Sequence, residues 1–169
     1  MTISLYQTSV PVFRKALENL KGILDKAAAH AAARKIEESV LLNSRLFPDM
    51  FPLGRQVQIA SDMVKGACAR LAGVEIPKHE DTETTFAELK ARLDKTLTFI
   101  STLKPAQIDG QEECEIVIPM NGTPLTFKGQ SFLLYRALPN VHFHATTAYA
   151  ILRHNGVELG KRDYLGNPE

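Results

Sequence analysis

Four stretches of this sequence repeat apolar residues at three- and four-residue steps, and that period commits most of the chain to amphipathic helices. The first stretch carries Val12, Phe13, Ala16, Leu17, Leu20, Ile23, Leu24 and Ala27, with Lys15, Glu18, Lys21 and Asp25 on the other face. Pro11 either opens this helix or kinks it near its start. The second runs through Leu53, Val57, Ala60, Val64, Ala67 and Leu71; Asp49 is the expected N-cap, Pro52 belongs to the first turn, and Gly73 ends it. Gly66 within it weakens a helix and predicts close helix packing at that point. The third stretch, Phe86, Leu89, Leu93, Leu97, Ile100 and Leu103, follows a capping box of Thr85 and Glu88 and stops at Pro105. The fourth extends from about Gln130 to Asn155, with Gly156 as its C′ residue. Pro139 interrupts this last helix: its ring removes an amide and crowds the carbonyl of Tyr135, so the helix bends or restarts there.

Elsewhere the period changes. Glu115 to Ile118 and Leu125 to Phe127 alternate around Asn121-Gly122, a pair that accepts positive φ, which predicts a small β-hairpin leaning on the helices. A short helical turn is expected around Val40, Leu41 and Leu42, and residues 74–84, polar and carrying Pro77, read as a connection. There is no internal repeat. Together these features predict an all-α four-helix bundle with a small β-hairpin before the last helix, built as a single domain over residues 1–169.

The 20 basic and 19 acidic residues give a formal charge of +1, so no dedicated nucleic-acid-binding surface is expected. Cys68 and Cys114 share no metal-type spacing and read as reduced thiols. The stretch from Met1 to Gln7 lacks the basic-then-apolar order of a signal peptide, and no apolar run spans a bilayer, so no membrane association and a cytoplasmic location are expected. Glycine-rich phosphate loops, nucleophile elbows and zinc-protease motifs are absent from the sequence.

Residues with functional chemistry gather on the last helix: Asn140, His142, His144, Tyr149, Arg153 and His154. His142 and His144 are two residues apart, about 200° around a helix, and cannot face one ion. Asn140 and His144 are four apart and share a face, where they can hold a water or an anion, line a polar pocket, or serve a hydrogen-bonded core. Arg153 and His154 occupy the final turn, where cations favour the helix dipole. On the second helix Arg55, Gln58 and Asp62 form one polar stripe, either solvated or the wall of a pocket. Lys161-Arg162-Asp163 is expected to dock the tail.

Two segments resemble an uncharacterised bacterial family, the domain of unknown function 1993 of the DinB/YfiT-like superfamily. They are Phe51-Pro52-Leu53-Gly54-Arg55-Gln56-Val57-Gln58-Ile59-Ala60-Ser61-Asp62 and the run from Leu138-Pro139-Asn140 through Thr146-Thr147-Ala148-Tyr149 to Arg153-His154-Asn155-Gly156. The resemblance continues into Ser9-Val10-Pro11-Val12-Phe13 and Gly160 to Gly166. It implies a four-helix bundle, usually a homodimer. Many superfamily members bind a divalent metal through three histidines, and better-understood relatives are transferases and isomerases that use low-molecular-weight thiols. In this sequence the implied ligand positions fall on His144, on Asn140 and near Ala60, so one imidazole of three remains.

These readings give a DinB-like bundle with a degenerate metal site, holding a small polar ligand between helices on His144, Asn140, Asp62, Gln58 and Tyr149, with no tightly bound cofactor. A metal-dependent, thiol-using transferase or hydrolase with a rearranged site, His144 as ligand, is the alternative. A dimerising structural protein without a ligand is the third. The pocket reading requires Asn140 and His144 to point between the second and fourth helices, with Asp62 or Gln58 within reach.

Overall fold

The computed structural model describes residues 3–119 and 122–167. Three long helices carry the first three stripes: α1 (Val10–Arg34), then, after the short α2 (Glu38–Leu42), α3 (Leu53–Leu71), and α4 (Phe86–Ser101). The turn α5 (Pro105–Ile108) leads into strands β1 (Glu115–Ile118) and β2 (Leu125–Lys128). A last continuous helical stretch comprises α6 (Gly129–Phe132), a π-helical turn (Leu133–Ala137) and α7 (Leu138–His154), before the tail helix α8 (Lys161–Leu165). Helices α1, α4, α3 and α7 pack in that order around one core, with α3 against α7 the most extensive contact. Phe13, Leu24, Val57, Val64, Phe86, Leu93, Leu133 and Ile151 are all fully buried there. The stripes thus close on one another as a four-helix bundle, in the ring their apolar faces require.

The helix signals hold in most places. Thr85 accepts from the Glu88 amide while the Glu88 carboxylate accepts from Thr85, closing the capping box. Gly73 and Gly156 take positive φ just beyond α3 and α7. Asp49 does not cap α3. Pro52 stands at the N-cap without a side-chain bond, and the Leu53 amide is satisfied instead by the Ser44 carbonyl at 2.9 Å. Gly66 makes room within its own helix: a Cβ there would lie 2.6 Å from the Arg70 guanidinium, which donates to the Gly66 carbonyl.

Pro139 does not break the last helix. The preceding turn widens, so that the Leu138 amide donates to the Leu133 carbonyl five residues back. Such a bulge leaves the Tyr135 carbonyl clear of the proline ring, and it recurs near functional sites. Asn140 stands in the first turn of the regular helix beyond it.

The hairpin pairs Glu115 with Lys128 and Ile118 with Leu125, antiparallel. Gly122 has φ of +111°, as its turn position needs, while Asn121 lies outside the described residues. Ile116 is buried, and the Phe127 ring meets Phe132 at 6.1 Å, which ties the ribbon to the bundle. Gly129 sits at the join: a Cβ would stand 2.1 Å from the Gln111 carbonyl oxygen and 3.1 Å from the Cys114 Sγ. Gly129→Ala is therefore expected to cost about 2 kcal/mol in urea unfolding, the ordinary cost of overpacking against backbone. A cost below about 0.5 kcal/mol, within the scatter of neutral surface changes, would mean that the Gln111 loop yields freely.

Candidate functional site

The α3–α7 seam brings His144 onto α3. Its Nδ1 lies 2.7 Å from the Gln56 Oε1, and the Gln56 Nε2 donates to the Phe51 carbonyl at 3.0 Å. Further along α3, Met63 and Ala67 share a cavity of about 60 Å³ with Arg136 and Ala137, so the two helices run antiparallel. In that register Ala60 stands opposite Asn140. The three positions that the family resemblance singles out therefore lie together in one seam.

Gln56 decides the state of the imidazole. Because its amide nitrogen is committed to Phe51, its oxygen must accept, and the proton of a neutral His144 resides on Nδ1. The lone pair is then on Nε2, which has no partner among the described residues. Burial, and secondarily the charge of Arg55, lowers the His144 pKa, which keeps the ring neutral. This is how a protein orients an imidazole that must accept a hydrogen bond or bind a ligand through its far nitrogen. The exposed Phe143 ring meets the imidazole edge-on at 5.2 Å, and the exposed Phe51 ring stands near Arg55, whose guanidinium is 6.0 Å from its centroid.

One helical turn earlier, the Asn140 Oδ1 is buried and has no hydrogen-bond partner among the described residues. An orphaned interior acceptor costs about 1–3 kcal/mol, which a bound donor would recover. The seam thus offers two acceptors, Asn140 Oδ1 and His144 Nε2, on one face.

Asp62 and Gln58 do not share this seam. Gln58 lies about 200° and Asp62 about 240° around α3 from Gln56, which turns them toward α4 and the 74–84 connection. There the guanidinium of Arg92, 1% exposed, is the hub. It bonds Asp62 at 2.9 Å, Asp81 at 2.8 Å, Glu83 at 3.0 Å and the Glu80 carbonyl at 2.9 Å. Gln58 donates to Glu83, Lys65 pairs with Asp62, and Arg55 bridges Gln58 and Asp81. The polar stripe of the second helix is the floor under the connection, to which Gln58 and Asp62 are committed, while the charge of Arg55 also acts on His144. His79 faces the same cluster, its pKa lowered by burial and by the charges of Lys65 and Arg92.

Tyr149 is also turned away, five residues beyond His144, with its ring 6.3 Å from Tyr164 of α8. His142 follows it, bonding the Tyr164 hydroxyl at 3.0 Å. The tail docks as expected: Asp163 pairs with Lys26 at 2.7 Å and caps the Gly160 amide. Arg153 and His154 are exposed in the last turn of α7. Both cysteines are free, and burial pushes the Cys68 thiol up to about 12, which leaves it inert.

The seam fits a divalent metal poorly. Its donors are one imidazole nitrogen and one amide oxygen, with a methyl group at Ala60, where tight sites use three or four nitrogen, sulfur or carboxylate ligands. No group of three His, Cys, Asp or Glu side chains among the described residues could hold such an ion. No helix among them is long and apolar enough to cross a membrane.

A family model described as a domain of unknown function (DUF1993) matches residues 5–165. The crystal structure of a DinB family member from Shewanella denitrificans is similar at a TM-score of 0.88 and 47% identity, over 97% of this chain and 93% of that one. No curated protein matches the chain.

Proposed function

We propose a ligand-binding function for this chain, which belongs to the DUF1993 family and has the DinB-like fold. Its α3–α7 seam holds a small neutral molecule that donates hydrogen bonds, such as a primary amide or an alcohol. The buried Asn140 Oδ1 carries this reading, because no described residue gives it a donor. His144 supplies the second acceptor through Nε2, with Gln56 holding the ring. The charge of Arg55 beside the imidazole disfavours a cationic ligand, and the exposed rings of Phe51 and Phe143 offer flat surfaces for its apolar part. Asp62, Gln58 and Tyr149 fall outside this site because their side chains are committed to other elements.

Thermal shift across urea, acetamide, benzamide and small glycols tests the reading. At least one should stabilise the protein, and the shift should vanish in His144→Ala with the fold intact. If none shifts it, or if the shift survives in His144→Ala, the seam is not the site.

The orientation of His144 by Gln56 also suits a metal ligand, and this favours a second reading: a divalent-metal-dependent, thiol-using transferase or hydrolase. The two differ in metal content. Protein purified without chelator is expected to carry far less than one equivalent of zinc, nickel or iron. Stoichiometric metal lost in His144→Ala would establish the second reading over the first.

The proposal extends to a homodimer. Tyr135, 78% exposed, and Phe143, 58% exposed, stand on the outer side of the last helix, where a second copy could cover them. Light scattering at micromolar concentration should give twice the chain mass, and a monomer mass would remove this part.

A further inference from the structure

Away from the α3–α7 seam, α8 lies across α1 and closes a partly open cavity of about 190 Å³ between α1, α7 and itself. We propose that this cavity binds a small carboxylate whose apolar body is about one six-membered ring, with the charge held by Lys15.

The walls determine the body of the ligand. Ala16, Leu20 and Ile23 of α1, Ala145 of α7 and Leu165 of α8 present mostly carbon, and alanine stands where a larger side chain would fill the space. The polar groups on the wall are already engaged with one another. The Tyr164 hydroxyl is shared by His142 at 3.0 Å and Thr146 at 3.1 Å, and the Asn19 amide donates to the Tyr164 carbonyl at 2.9 Å. A water inside would find few partners, whereas a dry apolar cavity of about 150 Å³ takes benzene. The volume here leaves room for one substituent beyond the ring.

Lys15 determines the charge. Its ammonium donates to the Asn167 carbonyl at 3.0 Å, and it enters none of the ion pairs formed among the described residues. An ammonium has three donors, so a ligand carboxylate can be accepted without displacing that bond.

The roof supplies the route in. Gly166 has φ of +71°, and a Cβ there would meet the Asn19 Oδ1 at 2.5 Å, so the tail is shaped to seat closely on α1. Yet α8 is a single turn held largely by exposed contacts, the class of element that opens locally while the bundle stays folded.

Proton–nitrogen correlation spectra of the full chain, titrated with 4-methylbenzoate and separately with toluene, test the proposal. Both should move the amides of Ala16, Leu20, Ala145 and Leu165. Lys15→Met should weaken 4-methylbenzoate about fivefold, the scale of a half-exposed ion pair, and leave toluene unchanged. Ala16→Leu should abolish both by filling the cavity; where it unfolds the protein, Ala145→Leu serves. His144→Ala should leave both titrations intact, which separates this site from the α3–α7 seam. No response to either ring at millimolar concentration, responses mapping elsewhere, or equal binding in a folded filled variant would overturn the proposal.

Discussion

Arg92→Ala is expected to cost the fold about 3 kcal/mol at neutral pH, the low end for removing one partner of a buried charge cluster. The guanidinium is 1% exposed, and it alone joins α3, α4 and the 74–84 connection, through Asp62, Asp81, Glu83 and the Glu80 carbonyl. Its deletion leaves those carboxylates facing each other. Glu83 suffers most, at 11% exposed, whereas Asp62 at 33% and Asp81 at 39% can recover some hydration. Arg92→Met separates charge from packing, because it keeps the stem and drops the fork. If charge dominates, Arg92→Met should keep most of the cost; if packing dominates, it should recover about 2 kcal/mol or more in urea unfolding, because three heavy atoms beyond Cβ that alanine lacks remain buried. Arg92→Ala costing less than about 1 kcal/mol would show that the cluster behaves as surface pairs do.

The same cluster contributes to the acid limb through Asp81. Burial opposes ionisation of Asp81, but hydrogen bonding from Arg55 and the charge of Arg92 outweigh it and hold the carboxyl below its usual range. A lowered carboxyl pKa stabilises the native state above the unfolded value and loses that contribution as pH falls through the folded one. In Arg92→Ala the acid transition should therefore flatten, because there is less pairing left to lose.

The fold was legible because its determinants are local and periodic. The stripes of Val57 or Phe86 state a helix and its buried face within about twenty residues, and for the Phe86 helix Thr85 and Glu88 state the cap as well. The resemblance of the second and last helices to a known family located the seam at Asn140 and His144. The sequence placed Asp62 and Gln58 correctly on one polar stripe but not against the right neighbour, because a stripe names a face and not what covers it. What covers it is the 74–84 connection, whose His79, Asp81 and Glu83 look like ordinary loop polarity until Arg92 is brought under them. Arg92 itself has no signal in isolation: an arginine between Lys90 and Lys95 reads as part of a solvated face. Gln56 stands in the segment that carries the family resemblance with nothing to single it out, although its register on α3, one turn before Ala60, is what lets it meet His144.

Gln56 carries the second large effect. Gln56→Glu should reverse the sign of the pH dependence that His144 contributes. In the native protein burial, then the Arg55 charge, lowers the His144 pKa, so the unfolded chain binds more protons on the acid side of neutrality. Stability from this group is thus present above the ordinary histidine pKa and lost as pH falls below it toward the folded value. A glutamate at position 56, 2% exposed and within hydrogen-bond distance of Nδ1, needs the imidazolium to balance it. The folded pKa of His144 should then rise above the unfolded one, and the stabilisation should be greatest at acid pH and disappear as pH rises through the folded value. Gln56→Leu provides the uncharged control. It strands the Nδ1 proton and the Phe51 carbonyl together, and should cost about 1–3 kcal/mol without reversing the slope. Carbon-bound proton shifts of His144, followed from acid to alkaline pH in all three proteins, read the titration directly. A His144 titration in Gln56→Glu that still lies below that of free histidine would mean that the glutamate is neutral, and that Gln56 does not control the charge of the site.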